Sequence, residues 1–136
     1  MQNFIYALIQ VIHNFGAVSV AGIAASGLRL VHDDNAVSRQ QLALLVAVAW
    51  AVQMASGLLF GITTFLFEGH LPDIHGIAVG ALLIKIFCAL AGFILAVSYV
   101  QLHSGWSEEK RLLAWRVSFA LGIIALGSAA FLRWFS

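Results

Sequence analysis

Four polar side chains lie far from any polar stretch in a chain that is otherwise apolar: His13, Gln53, Lys85 and Arg116. An amine and an imidazole can pass a proton between them, hold an acidic group, or bind a metal through nitrogen. Lys85 stands about 12 residues into the third apolar run, roughly 18 Å from its start at ~1.5 Å per residue. That is near the middle of a bilayer, too deep for its stem to carry the amine easily to the surface. His13 stands about ten residues into the first run, roughly 15 Å below the same face. Gln53 lies about 15 residues from the far end of the second run, again near the middle. His13, Gln53 and Lys85 are therefore candidates for one polar cluster that binds a cofactor or substrate. The ordinary alternative is glue: a lysine on a backbone carbonyl, a histidine bonded to the next helix, a glutamine bridging two. Arg116, one to two turns inside its helix, can reach the headgroups.

The face that Lys85 shares favours an inward position. Helical spacing puts Ala78, Ala81, Leu82, Cys88, Ala89 and Gly92 beside it, and small residues line the faces on which membrane helices meet. A second constellation flanks Pro72. His70 and His75, with Glu68 and Asp73, offer two imidazoles and two carboxylates, a donor set that suits Cu(II) or Zn(II). The spacing is not an established metal signature, and a short polar turn would carry the same residues. His32 and His103 fall at helix ends.

These residues need elements to position them. Of the 136 residues, 62% are hydrophobic and 10% charged, with a mean hydropathy of +0.97. A soluble domain carries about a quarter charged residues, so this chain cannot cover a water-facing surface and its partner is a lipid bilayer. A net charge of +1 offers nothing to nucleic acid. The single Cys88 excludes an intrachain disulfide and a CxxC motif. The N-terminal run has no basic leader and no A-x-A site, so it reads as a first spanning helix.

Polar breaks divide the chain into helices over about 3–31, 38–67, 73–102 and 107–135, one domain over 1–136. The expected fold is all-α, an integral membrane four-helix bundle. The first helix ends at His32-Asp33-Asp34-Asn35. The second starts at Ser38, where Ser38-Arg39-Gln40-Gln41 matches a capping box. Pro72 sits just before the third, with Asp73 in its first turn. Ser107 caps the fourth, followed by Glu108 and Glu109. Each span is roughly 43 Å long, more than the ~30 Å hydrocarbon layer, so tilt or protruding ends absorb the excess.

Basic residues set the expected orientation. Arg29 and Arg39 flank the first connection, and Lys110, Arg111 and Arg116 follow the third. The second connection has none, and the C-terminal end has only Arg133. Connections one and three are therefore expected in the cytoplasm of an inner membrane, with both termini and the His70–His75 segment outside. Small residues recur at packing spacing: Ala17, Ala21 and Ala25, with Gly22-xxx-Ser26; Ala47, Ala51 and Ala55, with Gly57-xxx-Gly61; Gly76-xxx-Gly80, then Cys88, Gly92 and Ala96; Ser118-xxx-Gly122 and Ala125-xxx-Ala129. Trp106, Trp115 and Trp134 fit an interfacial belt, while Trp50 lies deeper.

Residues 50–134 resemble the copper-resistance protein D domain, a bacterial membrane family. Ser56-Gly57-Leu58 is similar to its Ser/Thr-Gly element. Gly80-Ala81-Leu82-Leu83-Ile84-Lys85-Ile86 resembles its G-x-L-L-x-K-L signature. Arg111-Leu112-Leu113-Ala114-Trp115-Arg116-Val117, followed by Ala120-Leu121-Gly122-Ile123-Ile124-Ala125-Leu126, is similar to its last helix. His13-Asn14-Phe15-Gly16 loosely resembles the H-x-x-G of related first helices. The chain departs at Val97-Ser98-Tyr99-Val100-Gln101, where the family usually has Asn-Arg, and at Ser118-Phe119, where it often has a glutamate. The resemblance implies handling of a copper ion, captured at the outer face by His70, His75, Asp73 and Glu68, with His13 and Lys85 lining a buried site or path. The related protoporphyrinogen-oxidising four-helix membrane proteins also pair a histidine with a lysine, which implies a rival: redox work on a haem or porphyrin. A b-type haem held by His13 and His75 would need equal depth, whereas these differ by roughly 12 Å, so His13 would be its single ligand. A third expectation is a small structural subunit with a membrane or periplasmic protein as partner.

Overall fold

The computed structural model describes residues 1–30 and 36–135. It contains α1 (Gln2–Leu30), α2 (Ala36–Glu68), α3 (Ile77–Leu102) and α4 (Glu108–Phe135), with one turn of 3-10 helix at His103–Gly105. All 4 helices are long and apolar enough to cross a membrane, and among the described residues there is no strand. The chain is an all-α four-helix bundle and a multi-pass membrane protein.

Helix contacts run in a ring. α1 packs on α2 and α4, and α3 packs on the same two, so α1 and α3 stand diagonally. Neighbours run antiparallel, because paired residues count in opposite directions. Tyr6 meets Thr64 while His13 meets Ser56. Gly27 lies on Trp115 while Val20 lies near Gly122. Gln40 bonds the Val100 carbonyl while Trp50 lies on Gly92.

Side-chain size is sorted inside out. The interior holds Ala24, Ala43, Ala47, Ala78, Ala89, Ala96 and Ala114, while Phe15, Leu58, Leu66, Leu83 and Phe87 are more than 60% exposed. In water that surface would drive association. In lipid it costs nothing, and the small interior lets backbones approach. The rows on α3 (Cys88, Gly92, Ala96) and α4 (Ser118, Gly122, Ala125) are buried. Gly22, Ser26, Ala51, Ala55, Gly57 and Gly80 face outward. Trp50 and Trp115 fill the space that the small residues leave, each 2–3% exposed. Trp115 is thus a packing residue rather than part of an interfacial belt, because Gly27 offers its ring a flat seat on α1.

Two helix starts differ from expectation. α2 begins at Ala36, two residues before Ser38. α3 begins at Ile77, leaving Pro72 and Asp73 outside it. Gly76 precedes it with φ 57° and ψ −120°, a conformation that interrupts helix and favours glycine. Asp73 turns to His75, 2.7 Å away, instead of capping the helix. Ser107 does cap α4, accepting from the Lys110 amide at 3.3 Å, with Glu108 and Glu109 in the first turn. The expected end of α1 at His32-Asp33-Asp34-Asn35 lies outside the described residues.

The Gly92–Trp50 contact tests this packing. A Cβ on Gly92 would run into the middle of the Trp50 indole, whereas one on Gly127 meets open space. Gly92→Ala should lower stability in detergent by about 1–3 kcal/mol. Gly127→Ala should leave it unchanged or raise it by up to about 1 kcal/mol. Unfolding both variants by titration with a denaturing detergent reads the difference, and equal stabilities would contradict the described interface.

Candidate functional site

The site begins with the diagonal. α3 carries Lys85 on the face where Ala78, Ala81, Cys88, Ala89 and Gly92 are buried. With only small side chains on either side, its four-carbon stem can extend across the bundle. Its Nζ stops 2.7 Å from Nε2 of His13 on α1. The two helices that do not pack on each other are thereby joined through one hydrogen bond.

The imidazole is held from a third helix. His13 Nδ1 lies 2.7 Å from Ser56 Oγ on α2. The Ser56 hydroxyl has its own acceptor, the Val52 carbonyl at 2.6 Å, with the Gln53 carbonyl at 3.2 Å. Since Ser56 donates there, its oxygen accepts from His13. Nδ1 then carries the proton, and Nε2 offers its lone pair to Lys85. Hydrogen-bond direction thus assigns the tautomer. Gln53, one turn before Ser56 on the same face, donates its amide to the His13 backbone carbonyl. Gly16 is buried against that amide, where a Cβ would strike the Gln53 nitrogen. The three residues singled out for depth, His13, Gln53 and Lys85, are thus brought together, each on a different helix.

Ser56 belongs to the chain of donors and was not among the site candidates. Its spacing from Gln53 is the signal that could have found it: i and i+3 put both on the face that meets α1. Tyr6 is another addition. Its hydroxyl donates to Thr64 Oγ1 at 3.2 Å and lies 3.5 Å from Glu68 Oε1.

The constellation of Glu68, His70, Asp73 and His75 is not gathered. Glu68 faces Tyr6 on α1, His70 Nδ1 faces the Leu71 carbonyl at 2.9 Å, and His75 Nε2 pairs with Asp73 Oδ1 at 2.7 Å. Among the described residues no three histidine, cysteine or carboxylate side chains come together as a metal group. At the other end, His103 stacks on Tyr99 and donates to its carbonyl.

The assembled cluster has a definite chemical competence. An amine and an imidazole 2.7 Å apart cannot both be charged without strong repulsion, so together they hold at most one excess proton. A proton can move between them along the existing hydrogen bond and reach Ser56 through the ring. Both groups are half-buried, so neither is sealed from a substrate arriving between the helices. A metal or haem iron at His13 would take Nε2 from Lys85.

No family model matches the chain, and no curated protein or solved structure is detectably similar to it.

The hydrogen-bond directions can be read spectroscopically. In ¹⁵N-histidine-labelled protein, His13 should appear as the Nδ1–H tautomer with an accepting Nε2. Lys85→Met should shift the Nε2 resonance toward that of a free imine nitrogen. Ser56→Ala should broaden or convert the tautomer. A wild-type His13 protonated at Nε2 instead would reverse the assignment.

Proposed function

We propose that this chain is a small inner-membrane protein that moves a metal ion, copper by its resemblance, in exchange for protons handled by Lys85 and His13. The observation that carries this reading is the unbroken run of hydrogen bonds from Lys85 through His13 to Ser56 in the middle of the bundle. An ionisable pair at that depth is costly in hydrocarbon. A structural role needs only neutral glue, which Gln53 already supplies. A pair that releases a proton when a cation arrives makes use of what glue would waste.

The basic residues around connections one and three support an orientation with those ends in the cytoplasm and both termini outside. The segment Glu68–His75 then stands at the outer mouth, where its imidazoles and carboxylates capture the ion singly or in pairs. The ion passes inward toward His13. Its charge expels the shared proton from the pair, and relaxation of Lys85 back onto Nε2 resets the site. Charge compensation, rather than a fixed ligand cage, is what the cluster offers.

A second reading uses the same two residues. His13 Nε2 would turn from Lys85 to the iron of a haem, or the pair would take protons from a porphyrinogen ring being oxidised, with Lys85 holding a propionate. The half-buried position of both groups favours it, because a flat ring could approach from between helices.

Purified protein distinguishes the two. Reconstituted in vesicles loaded with a pH dye, the wild type should admit copper with an opposing proton signal. Lys85→Ala and His13→Ala should slow both by about 10²–10⁴-fold, the usual contribution of a positioned acid or base. Lys85→Arg, which keeps the charge but does not release a proton, should be equally slow. His70→Ala and His75→Ala should raise the copper concentration needed and spare the maximal rate. A Soret band in the purified protein that disappears in His13→Ala would favour the porphyrin reading. Wild-type copper flux in Lys85→Ala would end the first.

A further inference from the structure

The His13–Lys85 pair has one uncovered edge, and a glycine uncovers it. Trp50 of α2 packs on Gly92 of α3. About two turns further along α2, on the same face, stands Gly57. About two turns back along α3 from Gly92 stands Lys85. The two helices run antiparallel, so Gly57 and Lys85 come level. Gly57 is exposed, although its row was expected to pack. Beyond its own helix, a Cβ there would meet only His13 Cε1, at 3.9 Å. Cε1 is the ring carbon between the two bonded nitrogens, so the notch opens onto the imidazole beside Lys85. Gly61, one turn on, prolongs it, with no atom within 4 Å of a Cβ built there. Elsewhere the lipid-facing surface carries bulky side chains such as Leu66, Leu83 and Phe87. The seam between α2 and α3 is closed at Trp50 and open at the pair.

The chemistry behind the notch selects what can use it. Both His13 nitrogens are engaged, with Ser56 and with Lys85. The amine has capacity left: an ammonium has three donors, and among the described residues Lys85 bonds His13 alone. No described carboxylate lies within ion-pair distance of it, and Glu68, Asp73, Glu108 and Glu109 all stand at or beyond helix ends. With its one proton the pair is a cation in hydrocarbon without an anion beside it, a costly state. The complementary ligand is an anion that can arrive through lipid. A phosphate diester is charged at every ordinary pH and meets the full cost of desolvation on its way to this depth. A carboxylic acid travels as the neutral acid. At the notch its O–H bond breaks, an N–H bond forms on the amine–imidazole pair, and the carboxylate stays as counter-ion to the new cation, with no electrons exchanged. Its alkyl chain remains among the lipid tails. We infer that the notch at Gly57 admits long-chain carboxylic acids from the bilayer to Lys85, a second class of ligand for the pair. This requires the pair to be a working site, whatever ion it exchanges.

Oleic acid labelled with ¹³C at its carboxyl tests this, with the full chain in phosphatidylcholine nanodiscs at a pH where acid dissolved in the bilayer is protonated. Wild type should add one saturable, ionised carboxyl resonance per chain. Methyl oleate keeps the tail and the carbonyl but has no proton to give, and it should not displace that signal. Lys85→Met should weaken binding about tenfold or more, as for loss of a charge-assisted hydrogen bond. Lys85→Arg, a fixed cation, should still bind oleate, although it is expected to be slow in ion exchange. Gly57→Leu fills the notch and should weaken binding about tenfold, while ¹⁵N-labelled His13 keeps its Nδ1–H tautomer and so reports an intact pair. Gly127→Leu, on open surface of α4, should change nothing. If Lys85→Met does not fold, Gly57→Leu carries the test. Absence of the ionised signal, its displacement by methyl oleate, or its indifference to Gly57→Leu with the pair intact overturns the proposal. Copper flux that depends on Lys85 without oleate binding would leave ion exchange standing and remove this ligand; oleate binding with Lys85-independent flux would do the reverse.

Discussion

In hydrocarbon a hydrogen bond has no water to compete with it, and a polar group without one is expensive. That constraint orders this molecule more than any hydrophobic force, because lipid tails are as apolar as the leucines they touch. Lys85 cannot be left in the acyl layer alone. Its stem crosses the bundle to the nearest lone pair on offer, the His13 ring, 2.7 Å from its amine. The ring must in turn find an acceptor for its other nitrogen, and Ser56 supplies one that is already anchored to the Val52 carbonyl. One half-buried amine therefore ties a face of α3 to α1 and, through Ser56, to α2.

The packing makes that possible by being small where the site is and large where lipid is. Alanine, glycine and cysteine occupy the inner face of α3, so a lysine stem fits where a leucine row would block it. Tryptophan is used as filler at two levels, Trp50 over Gly92 and Trp115 over Gly27. The relay lies on the Tyr6–Thr64 side of the Trp50 layer, with Gly57 near the His13 ring. A small cleft lined by Ala43, Val46, Tyr99 and Trp115 lies beyond that layer.

Much of the architecture was legible in order of amino acids alone. Polar breaks at Glu68-Gly69-His70 and His103-Ser104-Gly105 punctuate apolar runs too long for a soluble core, so four spanning helices follow from composition and length. Depth counting along those runs was enough to single out His13, Gln53 and Lys85, because helical rise is constant and lipid penalises each of them. Boundaries were less secure. The start of α3 moved from Asp73 to Ile77, since a proline and an acidic residue resemble a helix start but Gly76 at positive φ takes the chain elsewhere. Ser56 was missed as a site member because a serine in a membrane helix satisfies itself on its own backbone, and nothing in its type reveals a second partner.

What the chain of residues determined by itself is the solvent, the number of crossings and the depth of each ionisable group, all of which depend only on local hydropathy and a fixed rise per residue. What tertiary structure alone decided is who meets whom. The diagonal meeting of Lys85 with His13, the dispersal of Glu68, His70 and the Asp73–His75 pair, and the burial of Arg39, Tyr99 and Trp115 all depend on how the helices meet. Rotation is set by the sum of many small packing contacts between helices distant in sequence, and no local pattern encodes that sum.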